Sequence, residues 1–279
     1  MSPTAPRLAG VIGDPIAHSR SPRLHGHWLR RYRIDGHYVP LRTAPQDLAE
    51  TLRLLPRLGF AGLNVTIPHK VAALALAAEA TPRAARIGAA NTLTFKGGMI
   101  QADNTDGEGF LRSLRSGAPR WNVGQPAVVL GAGGAARAVA DALLESGVSE
   151  VRLLNRTPSR AEALAADLGA HHGPRMRVLP WGEMPDAMAD AGLLVNTTSL
   201  GMAGLDPLIV DLSSLPASAV VADIVYAPLV TPLLAAAGAH GLTTVDGLGM
   251  LLHQAAPGFA RWFGVEPVVD DELRRVVLA

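Results

Sequence analysis

The chain has 279 residues, 48% of them apolar and 18% charged, with a formal net charge of +1 and no cysteine. That length supports a large core and two domains, while the composition excludes a disordered chain, a nucleic-acid footprint, disulfides and thiolate metal sites. No apolar run reaches the ~18 residues of a membrane span, and Met1 to Gly10 lacks a signal-peptide core, so a cytoplasmic chain with a small-molecule partner is expected.

Val11 to Pro15 reads as a short strand ending in turn residues, and Pro22 opens a helix with Leu24, Trp28 and Leu29 on one face. Between them, Ser19 and Ser21 can cap that helix or grip a carboxylate; spacing alone favours the cap. His18, His25, His27 and His69 follow no metal-ligand spacing and read as ordinary polar or core histidines. Gly36 to Leu41 is a second strand, and Pro45 to Leu58, with Leu48, Leu52 and Leu55 in phase, an amphipathic helix. In a third strand, Gly62 to Pro68, Asn64 and Thr66 share a face, and polar side chains on a buried face need partners that a ligand could supply. Lys70 begins the next helix, where a cation opposes the dipole. All of the 25 basic residues except Lys70 and Lys96 are arginine, so Lys70 marks a place for an ammonium that can release its proton.

Ala89 to Phe95 and Met99 to Ala102 flank Lys96-Gly97-Gly98 as a hairpin. Asp106 follows, either as a helix cap or as a functional carboxylate, and residues 116–126 form a loop rich in glycine and proline. Ala127 to Leu130 then run into Gly131-Ala132-Gly133-Gly134-Ala135 and a helical repeat of Ala138, Val139, Ala142 and Leu143. In such a strand, glycine turn and helix, backbone N–H groups approach a pyrophosphate lying on the positive end of the helix. Apolar strands at 127–130, 151–154, 176–179, 192–195, 219–222 and 243–245 predict a doubly wound parallel sheet. The second of them ends at Asn155-Arg156-Thr157, where an NAD-binding fold would place an acidic residue; Arg156 and Arg160 suit a 2′-phosphate, favouring NADP. The fourth ends in Asn196 to Met202 and the fifth in Asp223 to Tyr226, both at strand carboxyl ends where open α/β sheets bind ligands. Asp246 to Met250 leads into a last long helix that carries Gln254.

The segments His18 to Pro22, Asn64 to Lys70, Gly88 to Thr92, Asn104 to Gly107, Gly131 to Gly134, Asn155 to Thr157, Asn196 to Met202 and Asp246 to Gln254, in this order, closely resemble the shikimate dehydrogenase family. The resemblance covers almost the whole chain. It implies an α/β fold of two domains: a substrate-binding and catalytic domain, 1–105 plus 247–279, and a Rossmann-type NADP domain, 106–246, with the active site in the cleft between them. The implied activity is the reversible, NADP-dependent reduction of 3-dehydroshikimate to shikimate in aromatic amino-acid and chorismate biosynthesis, by a monomer or homodimer using no metal. By resemblance, Ser19 and Ser21 hold the substrate carboxylate, overturning the cap, with Tyr226 near the same group. Asn64, Thr66, Asn91, Asp106 and Gln254 surround the ring hydroxyls, and Lys70 and Asp106 form the catalytic pair. Gly131, Ala132, Gly133, Gly134, Ala135, Asn155, Arg156, Thr157 and Arg160 hold NADP, while Thr198, Met202, Gly249 and Met250 lie near its nicotinamide. Ala102-Asp103 and Ala227 depart from the family's commoner residues without removing a catalytic group. Ser21, where relatives that oxidise quinate often carry Thr, leans toward shikimate. The alternatives are a quinate/shikimate dehydrogenase with relaxed substrate or cofactor choice and a non-catalytic NADP or shikimate sensor.

Overall fold

The computed structural model describes residues 6–279, so the first five residues of the expected substrate domain lie outside the described residues. The chain forms two compact units, one running through Thr105 and resuming at Leu252–Ala279, the other Asp106–Leu251.

The first unit contains β1 (Arg7–Gly13), α1 (Ser21–Arg31), β2 (Gly36–Arg42), α2 (Leu48–Leu54), β3 (Phe60–Val65), α3 (Lys70–Ala75), β4 (Glu79–Ala80), α4 (Pro82–Ile87), β5 (Thr92–Lys96) and β6 (Met99–Asp103). Its sheet runs β2-β1-β3-β5-β6-β4. The first three strands are parallel, whereas β5 is antiparallel to both β3 and β6. Several expected boundaries change: β1 starts at Arg7 rather than Val11, and β5 at Thr92 rather than Ala89. The helix expected over 45–58 is three segments, with 3-10 turns at Pro45–Asp47 and Leu55–Leu58 around α2. Pro56 has no N–H to give to the preceding turn, and Gly59 closes the segment at a φ of 87°. The third strand ends at Val65 instead of Pro68, although the Thr66 N–H still reaches the Ile12 carbonyl at 2.9 Å.

The second unit begins with α5 (Asp106–Gly117) and continues through β7 (Ala127–Leu130), α6 (Gly134–Glu145), β8 (Val151–Leu154), α7 (Pro158–His172), β9 (Met176–Leu179), α8 (Met184–Met188), β10 (Leu193–Asn196), β11 (Val220–Asp223), α9 (Pro232–Ala239) and β12 (Thr243–Val245). Its sheet, β12-β11-β10-β7-β8-β9, is parallel throughout. Alternate side chains of these strands go to opposite faces. Ala127, Val129, Leu153 and Val195 pack with Phe110, Leu114, Val139, Leu143 and Leu164 from α5, α6 and α7. Val128, Leu130, Leu154, Leu194 and Val221 pack with Met184, Met188, Leu233 and Leu234 from α8 and α9. Both faces are covered, and for that reason the strands read as continuous apolar runs.

The chain ends with α10 (Gly247–Phe263) and α11 (Asp271–Leu278), and the division between units falls within α10. In the first unit, α10 lies on β3 and β5. The Trp262 indole N–H donates to the Leu93 carbonyl at 3.0 Å and passes directly over Gly62, where a Cβ would come within 2.0 Å of the indole nitrogen. One helical face carries Phe259 and Trp262, which meet the rings of Trp28, His25 and Tyr38, and Phe263, which packs on Phe259. A second anchor is ionic. The buried Asp103 carboxylate accepts from Arg83 through two nitrogens at 2.6 Å each, from Thr81 at 2.7 Å and from Arg261 of α10 at 2.5 Å. Burial pulls the Asp103 pKa upward, but the bonds from Arg83, Thr81 and Arg261 and the Arg83 charge outweigh it and hold the group well below the usual carboxylate range.

Two outcomes follow for stability. Gly62→Ala forces the indole aside and strands the Leu93 carbonyl, so urea denaturation should show a loss of about 3 kcal/mol. Arg83→Met leaves a buried carboxylate with less compensation and should cost about 2 kcal/mol at neutral pH. Because the folded Asp103 pKa is depressed, its stabilisation is present above the ordinary carboxylate pKa and disappears as pH falls through the folded value, so the gap between Arg83→Met and the unchanged chain should narrow below pH ~4.

Candidate active site

In the first unit the expected substrate residues gather at the carboxyl end of β3. The buried Asn91 is the hub. Its Nδ2 donates to the Thr105 hydroxyl and to Gln254 Oε1, both at 3.0 Å, and its Oδ1 accepts from the Thr105 N–H at 2.8 Å and the Thr92 hydroxyl at 2.9 Å. The Thr105 hydroxyl donates in turn to the Gln254 carbonyl at 2.8 Å, so this turn of α10 is held to the segment that leads to Asp106. Asn64 joins through the Asn91 carbonyl, 3.3 Å from its Nδ2. The Asn64 Oδ1 accepts from the Tyr38 hydroxyl at 2.7 Å. Tyr38 is buried, its phenol pushed well above the usual range by burial, with Ser21 drawing it back. The Tyr38 ring lies flat on His25 at 3.8 Å. Burial lowers the His25 pKa to about 3, so this imidazole is uncharged at neutral pH and serves as an aromatic plate. Lys70, the half-buried first residue of α3, is tied to the same region by its carbonyl, which accepts from the Ala90 N–H at 2.8 Å.

The serine cap suggested by spacing is not formed. Arg20 occupies the N-cap position of α1 without a side-chain bond, and the Ser19 hydroxyl accepts from the Ser21 N–H at 3.3 Å. Thr66 is half-buried after β3, and a Cβ on Gly13 would lie 2.5 Å from its methyl. His69, buried, has its Nε2 at 2.7 Å from the Thr43 carbonyl. Sequence reading assigned no role to Thr105, Tyr38 or Asp103. Thr105 stood inside a recognised motif, but its value comes from partners at Asn91 and Gln254 that only folding supplies.

In the second unit Leu154, Leu130, Asn196 and Asp223 stand side by side across four strands, at their carboxyl ends. The chain leaves β7 toward β8 on one side, while β10 flanks β7 on the other, which makes this row the point where strand order reverses. Gly131 leaves β7 at a φ of 110°, a conformation open mainly to glycine. Gly133, the N-cap of α6, has no atom within 4 Å of where a Cβ would project. Together they form a backbone cradle of the shape and polarity that a pyrophosphate requires. Ala132 and Ala135 are partly exposed beside it. One strand over, Asn155 donates to the Thr157 carbonyl at 2.8 Å, shaping the start of α7. Arg156 and Arg160 are exposed and have no carboxylate partner among the described residues. These two guanidiniums fit an adenosine ribose that carries a 2′-phosphate. Thr198 follows β10, with Met202 exposed beyond it. Gly249 and Met250 open α10, where a Cβ on Gly249 would lie 2.2 Å from the Ser113 hydroxyl. Asp106 is buried as the first residue of α5, not the cap before it, and Tyr226 is half-buried three residues past β11.

One carboxylate was passed over in the sequence. Asp223 accepts from Asn196 and from the Val225 N–H, both at 3.0 Å, and from Thr231 at 2.7 Å. Burial pushes its pKa up to about 6 against the pull of those three bonds. Among the described residues, no helix is long and apolar enough to cross a membrane, and no group of three or more His, Asp or Glu could hold a metal ion.

Three family models match along the chain: the shikimate dehydrogenase substrate binding domain at 11–93, shikimate / quinate 5-dehydrogenase at 120–228 and the shikimate 5′-dehydrogenase C-terminal domain at 247–270. A shikimate dehydrogenase (NADP(+)) of Paracoccus denitrificans is 59% identical over 275 residues, covering 98% of this chain and 96% of its own. That of Dinoroseobacter shibae is 60% identical over 274 residues, covering 98% and 97%. Among solved structures, quinate dehydrogenase from Corynebacterium glutamicum in complex with NAD has a TM-score of 0.91 at 35% identity and covers 98% of this chain and 99% of its own. Shikimate 5-dehydrogenase from Thermus thermophilus in complex with NADP(H) and shikimate has a TM-score of 0.85 at 39% identity, covering 98% of each chain. With its α/β fold, its Rossmann-type parallel sheet and matches along nearly its whole length, the chain belongs to the shikimate dehydrogenase family.

Proposed function

We propose that this chain catalyses the reversible, NADP-dependent reduction of 3-dehydroshikimate to shikimate, with 1–105 plus 247–279 as the substrate-binding and catalytic domain and 106–246 as the NADP domain. The observation that carries this reading is the network in which Tyr38, Asn64, Asn91, Thr105 and Gln254 are fixed by one another. Such a connected set of donors and acceptors suits a small polyhydroxylated ring. Its setting in a chain similar along its length to NADP-dependent shikimate dehydrogenases supplies the substrate.

Ser19 and Ser21 donate to the substrate carboxylate, with Tyr226 at the same group, and Asn64, Thr66, Asn91, Asp106 and Gln254 bind the ring hydroxyls. Gly131, Ala132, Gly133, Gly134 and Ala135 cradle the pyrophosphate, and Asn155, Arg156, Thr157 and Arg160 hold the phosphorylated ribose. Thr198, Met202, Gly249 and Met250 surround the nicotinamide. When bound, the nicotinamide supplies or accepts the hydride. The protein supplies orientation and the proton. The Lys70 ammonium polarises the ketone and hands its proton to the oxygen that becomes the hydroxyl, while Asp106 accepts from a ring hydroxyl and completes the catalytic pair. A cytoplasmic location and a monomeric or homodimeric state complete the proposal.

The defining assay is NADPH formation from shikimate and NADP, followed by absorbance, with quinate and NAD as controls. Shikimate with NADP should be the favoured pair, and a preference for quinate or NAD would contradict the reading. Lys70→Ala should lower kcat by about 10²- to 10⁴-fold while the KM for shikimate changes only a few-fold; near-normal turnover would remove Lys70 from its role. Replacing Arg156 and Arg160 together with Ala should raise the KM for NADP at least ~10-fold and leave that for NAD nearly unchanged.

A further inference from the structure

The turn after β10 borders the glycine loop. A Cβ on Gly131 would lie 2.8 Å from the Thr197 hydroxyl and 3.0 Å from the Thr198 methyl, and the Thr197 hydroxyl donates to the Leu130 carbonyl at 2.7 Å. Thr198 is held from behind by Asn196, whose Oδ1 accepts from the Thr198 N–H at 3.0 Å and from its hydroxyl at 2.7 Å. The other end of the Asn196 amide is held by Asp223, its register neighbour on β11, and by the Leu200 carbonyl at 3.1 Å.

An amide can present either its oxygen or its nitrogen to a neighbour, and what stands opposite decides. An ionised carboxylate accepts only, as does the Leu200 carbonyl, so Asp223 strengthens the demand that Asn196 turn Nδ2 toward them and leave Oδ1 for Thr198. This arrangement is buried, with Asn196 fully enclosed and Asp223 2% exposed. A neutral apolar residue at 223 would fill the core at lower desolvation cost but would leave the amide nitrogen only the Leu200 carbonyl of these two acceptors, and the amide held less firmly.

We propose that Asp223 is a positioning residue for the nicotinamide end of the cofactor site, acting through Asn196 on Thr198. The inference rests on the dinucleotide reading of this unit. It assigns a task to a buried carboxylate that the acid–base chemistry of Lys70 and Asp106 does not use. The competing view is that Asp223 only secures its own loop, through Val225 and through Thr231, whose hydroxyl also caps α9 by accepting from the Leu234 N–H.

Calorimetric titration separates the two views, using NADP and a fragment without the nicotinamide half or the pyrophosphate, adenosine 2′,5′-bisphosphate. Asp223→Ala should weaken NADP about tenfold and leave the fragment within about twofold, because the disturbance lies at one end of the site. Asp223→Asn, which keeps an oxygen opposite Asn196, should recover most of the NADP affinity. Thr231→Ala should lower the urea midpoint without changing either affinity. If Asp223→Ala does not fold, Asn196→Ala removes the amide directly and must show the same selective loss. Equal weakening of both ligands, no weakening of either, or a matching NADP loss in Thr231→Ala would overturn the inference. Failure of the unchanged chain to bind NADP is a distinct result that would overturn the dinucleotide reading itself.

Discussion

A buried amide must find partners for both of its ends, and in this chain that requirement orders the ligand-facing segments of each unit. Asn91 is 2% exposed and Asn196 is fully enclosed. Left unsatisfied, each would cost a few kcal/mol, roughly the worth of several ordinary hydrogen bonds. The chain meets the demand with groups from distant sequence and, for Asn196, also with a near neighbour. Thr105 and Gln254 close around Asn91, and Asp223 and Thr198 close around Asn196. Because each amide is pinned at both ends, the residues next to it hold one geometry. Catalysis by orientation needs this, since a reactive group misplaced by an ångström loses much of its effect.

The helices and sheets serve that geometry in different ways. In the second unit the inner strands β7, β8, β10 and β11 are short, buried and in register, so their carboxyl ends align and the loops that follow emerge side by side. Gly131 then supplies a backbone turn that a side chain would resist. In the first unit α10 is fixed by an aromatic layer over Gly62 and by the Arg261 bond to Asp103. Gln254 lies two helical turns from Arg261 on the same helix, so the ionic anchor also sets the rotation that brings Gln254 to Asn91.

The Rossmann-type unit was the more legible in sequence, and the reason is physical. A strand buried on both faces carries an unbroken apolar run, and the glycines and prolines between runs mark its limits. All six strands read that way carry the observed boundaries or differ by one residue, and the glycine turn falls where the pattern put it. The first unit was harder because local signals competed. Pro56 split a segment whose leucines kept helical phase, and Thr66 and Ile67 preserved strand alternation beyond the last ladder pair at Val65. The polar network was legible only as motifs. Nothing near Asp103 in sequence points to Arg261, 158 residues away, and nothing near Asp223 announces Asn196, 27 residues before it. Folding supplies those partnerships: α10 carries Arg261 to the end of β6, and the strand order sets Asp223 beside Asn196. The serine pair shows the converse: spacing favoured a helix cap, but both hydroxyls lie outside the cap position.

The central claim is that one ring carbon of the substrate exchanges a hydride with the nicotinamide while the protein moves only the proton. Isotope tracing tests this most directly. With NADPH carrying deuterium at the transferable C4 position and 3-dehydroshikimate as acceptor, the shikimate formed should contain one deuterium, on the carbon that bears the new hydroxyl. Shikimate without deuterium, tested with each C4 epimer of the labelled cofactor, would contradict the account.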